Sequence, residues 1–235
     1  MSQTSLIQVL GAVAYGEHKA HEKARGYAAE ATEDDQRRTW QVIAAEELRH
    51  HKGFVRRLNA IGADPERAMR PYRASLDRFH GFAPDSDEIV EAVCSLLGEG
   101  IAADLLAWLR TVADPDTAAF IDTVIEDEAG HESRAAEELR RLLDAQPDGR
   151  VRAARGAARM VGKMVASGAA SGPSFAAFVR LGRSPALLSG LAAGFARRLH
   201  LVGVGPLSAL ERLDPFGIVV RLDPFTASAR SRPAA

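Results

Sequence analysis

Glu47 and His50 stand three residues apart in AAEELRHH, and Glu128 and His131 repeat that spacing in EDEAGH. Each pair follows a lone Glu at nearly equal distance: Glu17 lies 30 residues before Glu47, and Glu99 lies 29 before Glu128. On a helix, positions i and i+3 project from one face about a turn apart, so each Glu-x-x-His can address a single metal site. Four Glu and two His in the order Glu, Glu-x-x-His, Glu, Glu-x-x-His form the ligand set of a carboxylate-bridged di-iron centre in a four-helix bundle. A single Glu-x-x-His arises readily by chance in a charged helix. Its duplication, with a partner Glu at matching distance, makes the pattern specific.

Six converging ligands need four helices, and apolar spacing supplies them. The first runs from about Thr4 to Glu30 with Val13, Glu17, Ala20 and Ala24 on one stripe, and the second from about Asp34 to Ile61, ended by Gly62. Its stripe is Trp40, Ile43, Glu47, His50, Phe54, Leu58 and Ile61. A long connection carrying Pro65, Pro71, Gly81 and Pro84 crosses to a third helix from about Ser86 to Val112, whose stripe includes Val93, Leu96, Glu99, Ala103 and Leu106. Asp114-Pro115-Asp116 makes a turn with Asp116 as the expected N-cap of a fourth helix to about Ala145, with Ile121, Val124, Glu128, His131 and Leu142 inward. All six candidate ligands thus lie on apolar stripes. A Glu on a solvated face is ordinary, but one in an apolar stripe must be paired, neutralised or metal-bound. A purely structural buried network is the alternative. Four carboxylates in one core repel each other unless cations lie among them, which favours metal.

The neighbours of the motifs are expected on the surface. Glu46 sits beside the stripe, so Glu46→Ala is expected to leave metal content unchanged. His51, Glu126, Asp127 and Glu132 point away in the same manner. His18 and His21 are also placed outside, although His21 is i+4 from Glu17 and close enough to hydrogen-bond a ligand. Tyr15 and Trp108 either approach the site or fill core. Gly98, Gly100, Ala102 and Ala103 around Glu99 either leave room for substrate and O₂ or permit close helix packing.

The chain of 235 residues is 46% hydrophobic and 26% charged, sufficient for one large core, and no run of alternating β-branched residues suggests strands. The expected class is all-α. The single cysteine, Cys94, excludes an intrachain disulfide and a four-thiolate iron site, and suits a reducing cytoplasm. No export signal and no membrane span is expected, since the apolar stretch 185–196 is too short. A net charge of −1 conceals a division: residues 1–148 hold 17 Lys/Arg against 28 Asp/Glu, and residues 149–235 hold 13 against 3. The expected organisation is a four-helix bundle over 1–148 and a basic helical extension and tail over 149–235. That extension either packs on the acidic bundle or faces a polyanion. Two amphipathic helices, Val151 to Ser167 and Ser174 to Leu199, are expected there with Arg and Lys outward. Beyond them RLDPF occurs twice, ending at Phe216 and Phe225, before a polar tail.

Over residues 6 to about 145 the chain resembles the ferritin-like superfamily, and within it the branch similar to the tRNA isopentenyl-adenosine hydroxylase. The resemblance rests on LGAVAYGE, AAEELRHH, DPERAMRPYRASLDRFH, GEGIAADLL and EDEAGH. It implies a ferritin-like four-helix bundle with additional C-terminal helices. It implies Glu17 and Glu99 as terminal carboxylates, Glu47 and Glu128 as bridges, and His50 and His131 as terminal nitrogens of two iron ions, with the four Glu catalytic. The implied activity is an O₂-dependent di-iron monooxygenase, a hydroxylase acting on a modified tRNA nucleoside or another C–H substrate. A chain with no flavin or nicotinamide fingerprint needs an external electron-donating reductase. The substrate is either tRNA, held through the basic C-terminal part, or a small molecule; a homodimer is possible. Ferroxidase activity, iron handling and peroxide scavenging use the same ligands and form the alternative. An oxygenase is expected to close a pocket beside the irons, lined by residues such as Trp40, Phe54 and Leu106 and opening toward the C-terminal helices.

Overall fold

The computed structural model describes residues 3–168, 179–180 and 184–204, and these residues contain helices and no strand. α1 (Gln3–Glu30) and α2 (Asp34–Ala60) form one hairpin, and α5 (Glu88–Arg110) and α6 (Pro115–Ala145) form the other. The polar residues at the turns set the ends. Asp64 caps α3 (Pro65–Met69) by accepting from the Glu66 and Arg67 amides, and Asp87 caps α5 through those of Ile89 and Val90. Asp114, not the expected Asp116, caps α6, because Pro115 occupies the first helical position and Thr117 N–H donates to the Asp114 carboxylate. Gly62, at φ 76°, follows the end of α2 in the left-handed region where a glycine is favoured.

The crossover contains more order than a connection. α3, a 3₁₀ turn at Arg70–Tyr72 and α4 (Arg73–His80) lie along α1. Gly11 makes that approach possible, because a methyl there would lie 2.9 Å from the Ala68 Cβ and closer still to the Ala68 carbonyl. Prolines mark interruptions in this segment, yet Pro65 starts a helix instead of breaking one.

α7 (Gly149–Ser167) and α8 (Ser184–Leu201) both pack on α5. Their basic residues meet the acidic bundle: Arg152 reaches Asp87 at 2.8 Å and Arg159 reaches Asp85 at 3.4 Å. Not all of these cations face outward as expected. Lys163 is 9% exposed and Arg198 2%. The RLDPF repeat, with Phe216 and Phe225, and the polar tail lie outside the described residues.

The core comprises two large apolar plugs and a small cluster of Ala24, Ile43 and Ala44 between α1 and α2. One joins Leu6, Leu10, Phe54, Leu58, Leu106 and Ile121 near the α3 end of the bundle. The other joins Ile89, Val93, Leu97, Leu139, Met160 and Val202 at the far end, beneath α7 and α8. On α5 and α6 positions 99 and 128–131 fall between the two plugs in sequence, and on α1 and α2 positions 17 and 47–50 fall between the first plug and the cluster of Ala24, Ile43 and Ala44, so the charged residues occupy one layer with apolar residues on each side.

Candidate metal centre

In that layer six side chains from four helices converge. Glu17, Glu47, His50 and Glu128 offer one ligand atom each, all within 4.8 Å of one another, and Glu47, Glu99, Glu128 and His131 do the same. Glu47 and Glu128 belong to both groups, so the two groups share one carboxylate from α2 and one from α6. Glu17, Glu47, His50, Glu128 and His131 are buried, and Glu99 is half-buried.

Each imidazole turns its Nδ1 toward the carboxylates. His50 Nδ1 lies 3.5 Å from Glu17, 3.6 Å from Glu47 and 3.5 Å from Glu128. His131 Nδ1 lies 3.3 Å from Glu47 and 3.7 Å from Glu128. These separations are long for hydrogen bonds. Glu47 Oε2, Glu128 Oε2, His50 Nδ1 and His131 Nδ1 are all buried without a hydrogen-bond partner. Four orphaned polar atoms in a dry layer are unfavourable by about 1–3 kcal/mol each. A divalent ion in each group satisfies them, and imidazole with carboxylate suits iron, manganese or zinc. The residues therefore fit metal.

Glu46 and Asp127, expected on the surface, are half-buried and connect the two motifs across the bundle. Asp127, next to Glu128, lies 2.9 Å from His50 Nε2, and Glu46, next to Glu47, lies 2.9 Å from His131 Nε2. Each motif thus carries the acid that orients the other motif's imidazole. With Nε2–H donated outward, Nδ1 is left facing the centre. Arg49 holds Asp127 in place at 2.6 Å. The signal in the sequence is an acidic residue directly before each motif Glu, but its target lies on the opposite helix. Glu132 is also withdrawn from the surface, joined to Arg198 at 2.8 Å.

The other neighbours serve the scaffold. His21 Nδ1 lies 2.7 Å from the Ala44 carbonyl and His51 Nδ1 2.8 Å from that of Ala14, while His18 sits 37% exposed beside Glu22. Tyr15 donates to Asp77 at 2.7 Å, and Trp108 is buried in the α3-end plug. Gly98 and Gly100 serve packing: Met160 of α7 approaches Gly98, and the Arg198 side chain of α8 fills the space where a Gly100 methyl would be. The expected pocket is not formed by its expected residues. Phe54 and Leu106 are sealed in one plug, whereas Trp40 stacks near Tyr27 in a separate cluster with Ala24 and Ile43.

Without metal the layer retains protons instead. Burial opposes charge on His50, yet Glu128, Glu17 and Glu47 outweigh it and hold the ring up to about 12. His131 is held to about 11 against burial by Glu128, Glu47 and Glu46. Burial pushes Glu17 well above the ordinary range, and burial with the Glu128 and Glu47 charges pushes Glu99 to about 7. Glu47 goes the other way: although burial raises it, His131 and His50 bring it to about 2. Above pH 6.5 an unfolded chain releases its imidazole protons while the folded metal-free one keeps them, so the stabilisation is lost as pH rises toward 11–12. Glu99, raised from 4.5, acts with the same sign between pH 4.5 and 7. Each extra proton held by the fold costs about 1.4 kcal/mol per pH unit. With both imidazoles holding an extra proton, the Tm of metal-free protein is therefore expected to fall by about 5–11 °C per unit between pH 7 and 9 in calorimetry. Metal uptake, which displaces those protons, is expected to strengthen over the same range.

The family model described as the ferritin-like domain of actinomycetes matches residues 2–172. The chain belongs to that family. The match runs past the four-helix core and takes in α7, so this ferritin-like domain includes a helix laid on the outside of α5. A solved Synechococcus protein with aldehyde deformylating oxidase activity shares the fold of this ferritin-like chain, with a TM-score of 0.71 and 21% identity over 90% of this chain and 95% of that one. No curated protein matches the sequence. No helix among the described residues is long and apolar enough to cross a membrane.

Proposed function

We propose that this ferritin-like protein is an O₂-dependent di-iron oxygenase that hydroxylates a small-molecule C–H substrate. The observation that carries the reading is the pair of overlapping four-residue groups sharing Glu47 and Glu128, with their orphaned atoms turned inward. Glu17 and His50 would hold one ion and Glu99 and His131 the other, with Glu47 and Glu128 available to both. When bound, two irons supply the O₂ chemistry, with electrons from a separate reductase. Asp127 and Glu46 fix the ring orientations, and the two apolar plugs exclude bulk water from the layer. The Synechococcus protein of the same fold is named for an oxidase activity, and the motif resemblance to the tRNA hydroxylase branch also supports an oxygenase. The basic residues of α7 and α8 engage Asp85, Asp87, Asp104 and Glu132 of the bundle itself, which turns the substrate reading from tRNA toward a small molecule. A cytoplasmic setting agrees with the buried free thiol of Cys94.

The test begins with protein expressed aerobically with iron, for which two irons per chain are expected by elemental analysis. Supplied with NADPH and a ferredoxin–reductase pair, it is expected to consume O₂ over many turnovers at constant iron content. Growth of a mineral of hundreds of irons per particle, with O₂ consumed only in proportion to added iron, would replace this reading by ferroxidase storage.

A further inference from the structure

α7 is apolar on two opposite faces. Toward the bundle it buries Ala153, Gly156, Met160 and Ser167. Directly opposite, Val151, Ala154, Ala158, Val161 and Val165 recur at alternating intervals of three and four residues, the spacing of a helix–helix seam. At about 100° per residue they fill a stripe roughly 80° wide. Solvent reaches it: Val151 is 70% exposed, Val161 48% and Val165 71%. A methyl on Gly162, beside the stripe, would meet no atom within 4 Å. The cations of α7 lie between the two apolar faces. Arg152 and Arg159 turn toward Asp87 and Asp85, while Arg150 and Arg155, both exposed, border the stripe on either side. A surface helix ordinarily turns polar residues outward, so an aligned row of outward aliphatic side chains marks an interaction face.

The chain itself arrives at this face. After α8, Val202 is buried in the same plug as Ala153, and Val204 packs against that plug. A methyl on Gly203 would lie 3.7 Å from the Arg150 Nε. Val204 therefore stands beside the first turn of α7, next to Val151, and residues 205–235 follow it. From Val151 to Val165 the stripe is about 21 Å long at a helical rise of about 1.5 Å per residue. An extended chain at about 3.1 Å per residue spans that with about seven residues, fewer than lie between Leu207 and Phe225.

The sequence of that segment complements the stripe. Every third residue is apolar from Leu207 through Leu210, Leu213, Phe216 and Val219 to Leu222. Glu211, Asp214 and Asp223 each stand one position after a member of this series, and they are the only acids beyond residue 148. In a chain with three residues per turn each series shares one edge. One edge then suits the valines, and the adjoining edge brings carboxylates to Arg150 and Arg155. A second α7 from another copy is also apolar, but the helix carries no acid, so pairing would bring its arginines together.

We propose that the segment Leu207–Phe225 docks along the outward stripe of α7, with its every-third apolar series on the valines and its carboxylates toward Arg150 and Arg155. The two RLDPF copies thereby act as a clasp over an exposed helix face. This interaction is independent of the chemistry at the metal centre.

Arg212 and Arg221 lie within the segment and make trypsin its reporter. Cleavage after each is followed by mass spectrometry in the full-length protein and in a synthetic peptide of residues 205–235. It is expected to be roughly tenfold or more slower in the protein, because the protease acts on the undocked chain. Val161→Glu combined with Val165→Glu is expected to bring both rates to within about twofold of the peptide, with metal content unchanged. Leu207→Ser combined with Leu210→Ser alters no residue of the bundle and is expected to act in the same direction. Peptide-like cleavage in the unaltered protein, or undiminished protection in both double variants, would overturn the proposal. Light scattering identifies the other occupant. A dimer that becomes a monomer on Val161→Glu with Val165→Glu, while cleavage stays unchanged, would assign the stripe to a second copy and overturn the proposal as well.

Discussion

Glu47→Ala or Glu128→Ala is expected to strip the protein of nearly all bound metal, because each removes a carboxylate common to both four-residue groups. Glu17→Ala and Glu99→Ala each remove a carboxylate from one group only, so about half the metal is expected to remain. Glu46→Ala and Asp127→Ala form an intermediate class. Each leaves an Nε2–H of a buried imidazole without its carboxylate, and loss of such an orienting partner typically weakens metal affinity 10–100-fold. The graded series is read by elemental analysis after dialysis against a weak chelator. Equal retention by the Glu47 and Glu46 variants would mean that the orphaned atoms of this layer do not face a metal.

Arg198→Ala is expected to produce the largest loss of stability outside the metal layer. The guanidinium is 2% exposed and bridges Asp104 of α5 at 2.7 and 3.2 Å and Glu132 of α6 at 2.8 Å. Removing it leaves two carboxylates facing each other beneath α8, a change of about 3–5 kcal/mol for a fully buried pair. Both carboxylates retain some solvent contact, which places this case at about 3 kcal/mol and a Tm fall of about 6–12 °C. The glycines supply an independent check. A methyl on Gly100 or on Gly194 would collide with the Arg198 side chain, and at Gly194 also with the Asp104 carboxylate. Gly100→Ala and Gly194→Ala are therefore expected to displace α8 while leaving the arginine in the sequence. Faster exchange of α8 amides in both variants, with α1 and α2 unchanged, is the result to look for. Undisturbed α8 protection would mean that the clamp does not hold the helix. Since Glu132 adjoins His131, a loosened clamp should also lower metal retention modestly, by less than the Glu46 and Asp127 variants.

Helix periodicity placed Glu17, Glu47, His50, Glu99, Glu128 and His131 on inward stripes, and the four long helices were legible because apolar residues recur at helical spacing on each. Local chemistry determined most ends, except where Pro115 moved the cap of α6 back to Asp114. What spacing along one helix could not express was any contact between helices. Glu46 is four residues from His50 yet hydrogen-bonds His131, and Asp127 is four from His131 yet hydrogen-bonds His50. Only the packing of α2 against α6 turns two surface acids into partners of buried imidazoles. The crossover helices escaped notice because short, proline-punctuated segments lack a full period, and their stability comes from docking on α1. In the same way Lys163 and Arg198 read as solvated charges on amphipathic helices. Tertiary structure alone decided that one meets two phenyl rings and the other two carboxylates, because the identity of a neighbour across a helix interface leaves no trace in the periodicity of either helix.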